Sequence, residues 1–217
     1  MTMYEKYFTQ EELTRLPLSQ ADEARDTEWR ALVKEAEWLL ENRTLPQEPA
    51  ARQLAMRWML ALERDTACNP DFLNRLNQMH QQEPAMRAAI GMTPEIEAFI
   101  TRAFAENKMQ ILRHYLNERE YAFLYEHYPK QISAWPPLVA EMRRAMEQGV
   151  APDSDEARPL AQRWMALFCA YAGNDPQTHA KIRLAMEEQP ELSQGTWLDE
   201  PLLHWLRQAV AHLNRHA

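Results

Sequence analysis

The side chains of this sequence best suited to acid–base chemistry lie in the segment EREYAFLYEHY, at residues 118–128. It contains Glu118, Glu120, Glu126 and His127. Carboxylates and an imidazole are the groups that general acid–base catalysis uses most often. Carboxylates at helical spacing, however, usually form a solvated helix face. This segment alone therefore does not predict an enzyme.

Metal and thiol chemistry have equally little support in the sequence. His212 and His216 stand four residues apart without a third ligand nearby, and Cys68 and Cys169 are too few for a disulfide framework. Nothing in the sequence indicates the electropositive setting that activates a thiol. The sequence also lacks a glycine-rich phosphate loop and a nucleophile elbow. We therefore expect no catalytic residue, no metal and no cofactor.

Composition indicates an all-α protein and argues against several kinds of partner. The chain has only 4 glycines, and its long runs of Ala, Leu, Met, Glu, Gln and Arg favour helices. A formal charge of −8 argues against a nucleic-acid binder. No stretch approaches the roughly 20 apolar residues that span a bilayer, and the N-terminal segment does not resemble a signal peptide. We expect a cytoplasmic protein with no nucleic-acid or membrane partner.

One segment of the chain occurs twice. ARQLAMRWMLAL at 51–62 aligns with ARPLAQRWMALF at 157–168, with seven identical residues in twelve. Trp29 and Trp135 match at the same offset of 106 positions. Chance similarity does not keep one offset over such a length, so we interpret the chain as a tandem duplication.

The duplication predicts two helical repeats, at residues 1–106 and 107–217. Capping residues and the positions of Pro and Gly set the expected helix ends. The expected helices lie near residues 9–15, 20–42, 49–66, 70–81, 85–90, 94–128, 134–148, 154–172, 176–188 and 199–215.

The helix at about 94–128 is expected to bridge the two repeats. It begins with Thr-Pro-Glu at 93–95, which supplies a cap, a proline in the first turn and a carboxylate near the positive helix end. No Gly or Pro follows until Pro129. Asn117 and Glu120 form a possible capping box, which indicates a break at that point as the alternative.

The repeated helix carries an apolar stripe. In the second copy, Leu160, Trp164 and Phe168 recur at four-residue intervals, and matching positions of the first copy are also apolar. Core packing is the favoured interpretation for any one of these residues. The second copy is richer in aromatic residues, with Tyr171 nearby, and the chain holds 7 Trp and 12 Met. Such helical surfaces suit large, flat ligands.

These motifs resemble the drug-sensing domain of TipA-type regulators. The tandem arrangement is similar to the AlbA-like, albicidin-resistance branch of that family. The most similar segments are DFLNRLNQMHQQEP at 71–84, TPEIEAFITRAFAE at 93–106 and LAQRWMALFCAYAG at 160–173. The resemblance extends from Tyr4 to about Ala211 and so covers almost the whole chain.

The resemblance implies a helical protein that binds an antibiotic and has no catalytic cycle. Proteins of this branch bind albicidin, an elongated chain of linked aminobenzoic acids that inhibits bacterial DNA gyrase, in a tunnel between two repeats. Sequestration lowers the free drug concentration. We expect a monomer whose partner is albicidin or a related polyaromatic drug. The alternatives are a broader multidrug or thiopeptide sensor and a helical protein-interaction module with an open groove.

A ligand of this kind requires apolar walls and a few polar contacts. The expected wall residues are Leu76, Met79, Phe104, Tyr115, Trp164, Phe168, Tyr171 and Trp205. The expected polar contacts, each in a segment that resembles the branch, are Asn77, His80, Thr101 and His127. We favour His80, which we expect to share a face with Leu76 and Asn77. A satisfied core or surface histidine is the alternative for His80, and Thr101 has the alternative of bonding its own helical turn.

Overall fold

The computed structural model describes residues 3–215, except for the side chain of Asn214. These residues form helices and connecting turns, and no strand occurs among them. The predicted all-α class is confirmed. Across the same part of the chain, no helix combines the length and the apolar character that a membrane span requires.

The α-helices follow one another with short connections. In chain order they are α1 (Gln10–Arg15), α2 (Glu23–Glu41), α3 (Pro49–Asp65), α4 (Pro70–Gln82), α5 (Pro84–Ala89), α6 (Pro94–Arg113), α7 (Glu118–His127), α8 (Trp135–Glu147), α9 (Arg158–Ala172), α10 (Pro176–Glu188) and α11 (Glu200–Arg215). Short 3₁₀ helices lie at Tyr4–Lys6, Pro17–Ser19, Tyr128–Ala134 and Pro190–Leu192. Most helix ends predicted from capping and breaker residues lie within three residues of these bounds.

The prediction of one helix over residues 94–128 is wrong. α6 ends at Arg113 and α7 begins at Glu118. Asn117 has an extended backbone, and its side chain accepts a hydrogen bond from the Glu120 N–H at 2.9 Å. The Glu120 carboxylate accepts in return from the Asn117 N–H at 2.8 Å. These two bonds satisfy amide groups that a helix start leaves unpaired, so the local sequence stabilises a new helix here.

The chain forms two compact units, Met1–Asn107 and Lys108–Ala217. The boundary falls within α6, one residue after the boundary expected from the repeat. We call them unit 1 and unit 2.

Among the residues that the structure describes, unit 1 contains a larger and a smaller apolar cluster. The larger one joins α2, α3 and the first part of α6, and it consists of Leu32, Ala36, Leu39, Ala51, Leu54, Ala55, Trp58, Ala61, Ile96, Phe99, Ile100 and Ala103. The smaller one packs Phe8 and Leu16 of the N-terminal segment against Phe72 of α4. The Arg75 guanidinium lies over the rings of Phe8 and Phe72, at 4.8 and 5.3 Å from their centroids. It also pairs with Glu12 at 2.7 Å, so this cluster combines apolar and ionic contacts.

Unit 2 is built around α9, the second copy of the repeated helix. α9 packs against α7, α8 and α11. Leu138 of α8, Ala161 of α9 and Leu202 of α11 are buried. Trp205, an expected wall residue, is also buried, and its indole N–H donates to the Val150 carbonyl at 2.9 Å. That bond ties α11 to the segment before α9.

The two units repeat the same ionic contact at matched positions. Arg57 of α3 pairs with Glu35 of α2, and Arg163 of α9 pairs with Glu141 of α8. Both members of the second pair stand 106 positions after those of the first. A duplicated sequence predicts such a recurrence, since similar sequences form similar pairs of packed helices.

A pair of tryptophans recurs in the same way. The Trp29 and Trp58 rings meet edge to face at 5.3 Å and 83° in unit 1. The Trp135 and Trp164 rings meet at 4.7 Å and 69° in unit 2. Edge-to-face packing places the positive edge of one ring on the negative face of the other, which favours this arrangement. The surroundings of the two pairs differ, and this difference shapes the candidate site.

Candidate ligand-binding site

Aromatic side chains converge in unit 2 on one cluster, which we call the aromatic cluster. α9 contributes three residues on one face, and the 3₁₀ helix before α8, the first residue of α8 and α10 contribute one each. The members are Tyr128, Trp135, Trp164, Phe168, Tyr171 and His179.

The rings of this cluster form a continuous edge-to-face network around Tyr171. Its ring lies 5.1 Å from Tyr128, 5.4 Å from Phe168 and 6.1 Å from Trp135, with interplanar angles of 79°, 81° and 65°. Trp164 extends the network through Trp135. Aromatic pairs in this geometry contribute roughly 0.5–1.5 kcal/mol beyond their buried area. The network therefore holds its rings in fixed orientations.

The cluster is buried at its centre and accessible at its edge. Phe168 and Tyr171 are buried, whereas Tyr128, Trp135 and Trp164 are half-buried. Burial raises the pKa of the Tyr128 hydroxyl to about 12. Burial, followed by the neighbouring Tyr128, also raises the pKa of Tyr171. Both phenols therefore stay uncharged at physiological pH.

His179 adds a polar atom to this apolar surrounding. Its ring packs edge to face on Phe168 at 4.8 Å. Its Nε2 lies 2.7 Å from the carbonyl oxygen of Gly173, the residue that follows the last residue of α9. Because a carbonyl only accepts, Nε2 carries the proton and donates in this contact. The bond fixes both the tautomer and the orientation of the ring.

The sequence identified three members of the aromatic cluster, Trp164, Phe168 and Tyr171. It missed three others, which are Tyr128, Trp135 and His179. Trp135 carried a signal, since it matches Trp29 in the repeat, and Tyr128 ends the aromatic-rich segment before α8. His179 had no sequence signal, because only the packing of α10 brings it to the cluster.

The other three expected residues of unit 2 make local contacts. The Tyr115 hydroxyl donates to the Glu188 carboxylate at 2.9 Å and accepts from the Gln189 amide at 3.0 Å. The His127 ring stacks on Phe123 at 4.0 Å, and its Nδ1 donates to the Phe123 carbonyl at 2.8 Å. Trp205 uses its indole N–H within unit 2 as well. None of the three has a ring pair with the cluster among the described contacts.

The expected residues of α4 divide between its two faces. Leu76 and Met79 are buried, while Asn77 is exposed and His80 is half-buried. We expected Leu76 and Asn77 to share one face with His80, but Leu76 is buried in the core and Asn77 is exposed. Burial, followed by the nearby Arg87 charge, lowers the pKa of His80. The imidazole is neutral near pH 7 and can both donate and accept a hydrogen bond.

Two more expected residues lie on α6 within unit 1. Thr101 is half-buried, and Phe104 packs against the larger apolar cluster of unit 1. Arg102, which lies between these two residues in sequence, donates to the buried carboxylate of Glu106 at 2.9 Å. Polar and apolar side chains thus alternate on this part of α6.

The tryptophan pair of unit 1 has charged neighbours. The Trp29 indole N–H donates to the Asp65 carboxylate at 2.8 Å. Arg64 donates to the same carboxylate at 2.7 Å and to Glu28 at 2.8 Å. Asp65 is only 2% exposed, and these donors satisfy its buried carboxylate oxygens.

A surface groove of about 370 Å³ lies over this charged part of unit 1. It is lined by Glu28, Ala31, Leu32, Arg57, Leu60, Ala61 and Arg64. None of the residues expected from the sequence to bind a ligand lines it. Its arginines are already paired with carboxylates, so its polar groups are satisfied within the unit.

The described residues contain no group of three or more His, Cys, Asp or Glu side chains placed to bind a metal ion. His216, which the sequence pairs with His212, lies outside the described residues. Cys68 is exposed and Cys169 is half-buried, and both are free thiols.

Comparison with known proteins shows which family the chain resembles. The model of the TipAS antibiotic-recognition domain matches the chain twice, over residues 7–107 and 118–213, which confirms the tandem repeat. The chain is also 37% identical to an albicidin resistance protein of Klebsiella oxytoca over 226 residues, covering 99% of this chain and 98% of that protein. The chain belongs to the TipAS antibiotic-recognition domain family.

Proposed function

We propose that this protein confers resistance by binding albicidin, or a related polyaromatic antibiotic, and sequestering it without chemical change. The observation that carries the proposal is its similarity, over nearly the full length of both chains, to the albicidin resistance protein of Klebsiella oxytoca. The two matches to an antibiotic-recognition domain support a binding role. The net charge of −8 favours a small-molecule ligand over nucleic acid.

The aromatic cluster has the chemistry that such a drug requires. A chain of aromatic rings gains most from fixed ring faces and edges, and unit 2 supplies them in a network without a charged side chain. Each favourable ring contact adds roughly 0.5–1.5 kcal/mol beyond buried area, so a few contacts separate weak from strong binding.

The proposal includes both units as sources of contacts and an enclosed, tunnel-like site, as the family resemblance implies. Its proposed contact residues are Leu76, Asn77, Met79, His80, Thr101, Phe104, Tyr115, His127, Trp164, Phe168, Tyr171 and Trp205. His80 is the main polar candidate, because its neutral imidazole can bond either an amide N–H or a carbonyl.

A titration of the purified chain with albicidin, followed by tryptophan fluorescence, tests the proposal. We expect quenching that saturates at one drug per monomeric chain, since bound aromatic rings approach the indoles of the cluster. Mass spectrometry of drug extracted afterwards should recover it unchanged. An unchanged fluorescence signal from folded protein, with no heat of binding, would refute the proposal. Albicidin recovered in modified form would instead indicate an enzyme.

Variants locate the site. Trp164→Ala and His80→Ala should weaken binding by roughly tenfold each, because each removes a ring contact or a polar partner. Trp164→Phe keeps much of the packing and should retain more affinity than Trp164→Ala. Trp38 is 60% exposed on α2, so Trp38→Ala serves as the matched control. Equal affinity of all four variants would contradict the proposed contacts. Binding of thiopeptides or helical peptides in place of albicidin would favour the alternative functions.

A further inference from the structure

The matched tryptophans Trp29 and Trp135 have different surroundings at their indole N–H groups. In unit 1, the Trp29 N–H donates to the buried carboxylate of Asp65 at 2.8 Å, and Arg64 holds that carboxylate in place. Glu28 pairs with the same arginine. The N–H group of this tryptophan therefore already has a negatively charged acceptor within the repeat.

All three charged residues of this arrangement are replaced in the second repeat. At the offset of 106, Glu28 matches Ala134, Arg64 matches Ala170 and Asp65 matches Tyr171. Because of these three replacements, the second tryptophan pair has no carboxylate at the position that matches Asp65. The ring of Tyr171 packs beside Trp135 at 6.1 Å instead.

The Trp135 indole N–H has no hydrogen-bond acceptor among the residues that the structure describes. Trp135 is half-buried, at the accessible edge of the aromatic cluster. An indole N–H only donates, and a donor that loses water without gaining an acceptor is costly. Any ligand that covers this edge must therefore supply an acceptor or leave the donor unpaired.

Asp65 indicates which chemical group suits this position. The acceptor that the first repeat offers its tryptophan is a carboxylate oxygen, held beside an edge-to-face indole pair. We infer that Trp135 is a ligand-binding residue whose indole N–H donates to a carbonyl or carboxylate oxygen next to an aromatic ring of the drug. This inference rests on the proposed function and names one of its polar contacts.

The contact would give the aromatic cluster selectivity that ring packing lacks. Apolar rings accept any flat ligand of suitable size, whereas a donor that the bound ligand covers disfavours ligands without a matching acceptor. An aromatic amide or aromatic acid meets both requirements. A plain aromatic hydrocarbon meets only the first.

Nuclear magnetic resonance of the ¹⁵N-labelled chain tests the contact directly. Each of the 7 tryptophans gives one indole N–H signal, and the signal missing from Trp135→Phe identifies Trp135. On addition of albicidin we expect this signal to move downfield and to exchange more slowly with water, as a new hydrogen bond requires. The signal of the exposed Trp38, assigned in the same way, should not move.

Affinity gives the second readout. Trp135→Phe should weaken albicidin binding, and so should benzothienylalanine at position 135, which keeps the fused ring and replaces N–H by sulfur. The latter change isolates the hydrogen bond, and we expect a loss of roughly two- to tenfold. Trp38→Phe should bind as the natural protein does.

The outcomes separate this inference from the proposed function. If the natural protein does not bind albicidin, both are overturned. If it binds, but the benzothienylalanine variant binds equally well and the Trp135 signal does not move, the inference alone is overturned. A downfield signal together with weaker binding of that variant supports both.

Discussion

Asp65 and Tyr171 occupy matched positions of the two repeats and give the neighbouring tryptophan opposite surroundings. Asp65 accepts a hydrogen bond from Trp29 and requires Arg64 to balance its buried charge. Tyr171 packs its ring against Trp135 and carries no charge. The residue type at this one matched position therefore gives the first tryptophan pair a charged neighbour and the second an aromatic one. The shared Trp pair shows common ancestry, and its neighbours show how the copies diverged.

Glu12 gives a prediction at the residue scale. The Arg75 hydrogen bond, opposed by burial, lowers the pKa of Glu12 from 4.5 to about 2. A carboxyl whose pKa is lower in the folded state stabilises that state above pH 4.5 and loses this effect as the pH falls towards 2. At pH 7, Glu12→Gln should lower the free energy of unfolding by about 1–2 kcal/mol, after allowance for solvent screening.

Thermal or urea unfolding of both proteins between pH 7 and pH 2.5 measures this effect. The difference between natural protein and Glu12→Gln should be constant above about pH 5 and shrink below it. Glu11→Gln, at the exposed neighbouring position, is the control and should differ little from the natural protein at any pH. A difference that grows as the pH falls would contradict the prediction.

The break between α6 and α7 shows how two local signals compete at the scale of a helix. The absence of Gly and Pro between Pro94 and Pro129 favours one long helix. The capping box of Asn117 and Glu120 favours a new start, and the structure follows the capping box. Glu120 also accepts hydrogen bonds from Thr178 and Lys181 of α10, at 2.9 and 2.7 Å. Tertiary contacts thus reinforce the break, and a single-sequence pattern does not contain them.

We therefore expect Asn117→Ala to lower the free energy of unfolding. Loss of the cap removes the acceptor for the Glu120 N–H and should destabilise the protein by about 1 kcal/mol. Amide hydrogen exchange should rise in the first turn of α7 and stay unchanged in the middle of α9. Thr9→Ala removes the corresponding cap of α1 and should cost a similar amount. No loss of stability, or faster exchange throughout unit 2, would contradict a local capping role.

At the scale of the whole molecule, the duplication preserves cross-helix contacts as well as sequence. The pairs Arg57–Glu35 and Arg163–Glu141 connect the same two helices of each repeat. All four side chains are more than a third exposed, so water screens both pairs. Their recurrence reflects common descent and a shared helix arrangement more than a large contribution to stability.

Because the two ion pairs lie in different compact units, we expect their effects on the free energy of unfolding to be additive. Arg57→Ala and Arg163→Ala should each lower the free energy of unfolding by about 0.5 kcal/mol, because the pairs are exposed. The double variant should lose about 1 kcal/mol, since the pairs lie in different units and share no partner. Urea unfolding of the three variants measures this, with Arg43→Ala, at an exposed turn, as control. A double variant that departs from the sum by more than about 0.5 kcal/mol would show coupling between the pairs.

The sequence by itself determined the helical class, the duplication and most helix ends. Composition and the constant offset can be read directly from the sequence, and capping residues act on helix ends next to them in the chain. It also singled out Trp164, Phe168 and Tyr171, which belong to the aromatic cluster, because one helix carries all three at helical spacing. Family resemblance supplied the expected drug, and the family itself was confirmed by comparison.

Only the tertiary structure decided which side chains meet. It brought Tyr128, Trp135 and His179, from three other elements of unit 2, to the rings of α9. It also placed Leu76 in the core and left Asn77 exposed, although the two are neighbours. The physical reason is that helical periodicity sets the faces of a helix, whereas the packing of other helices determines which face is covered and by which residues.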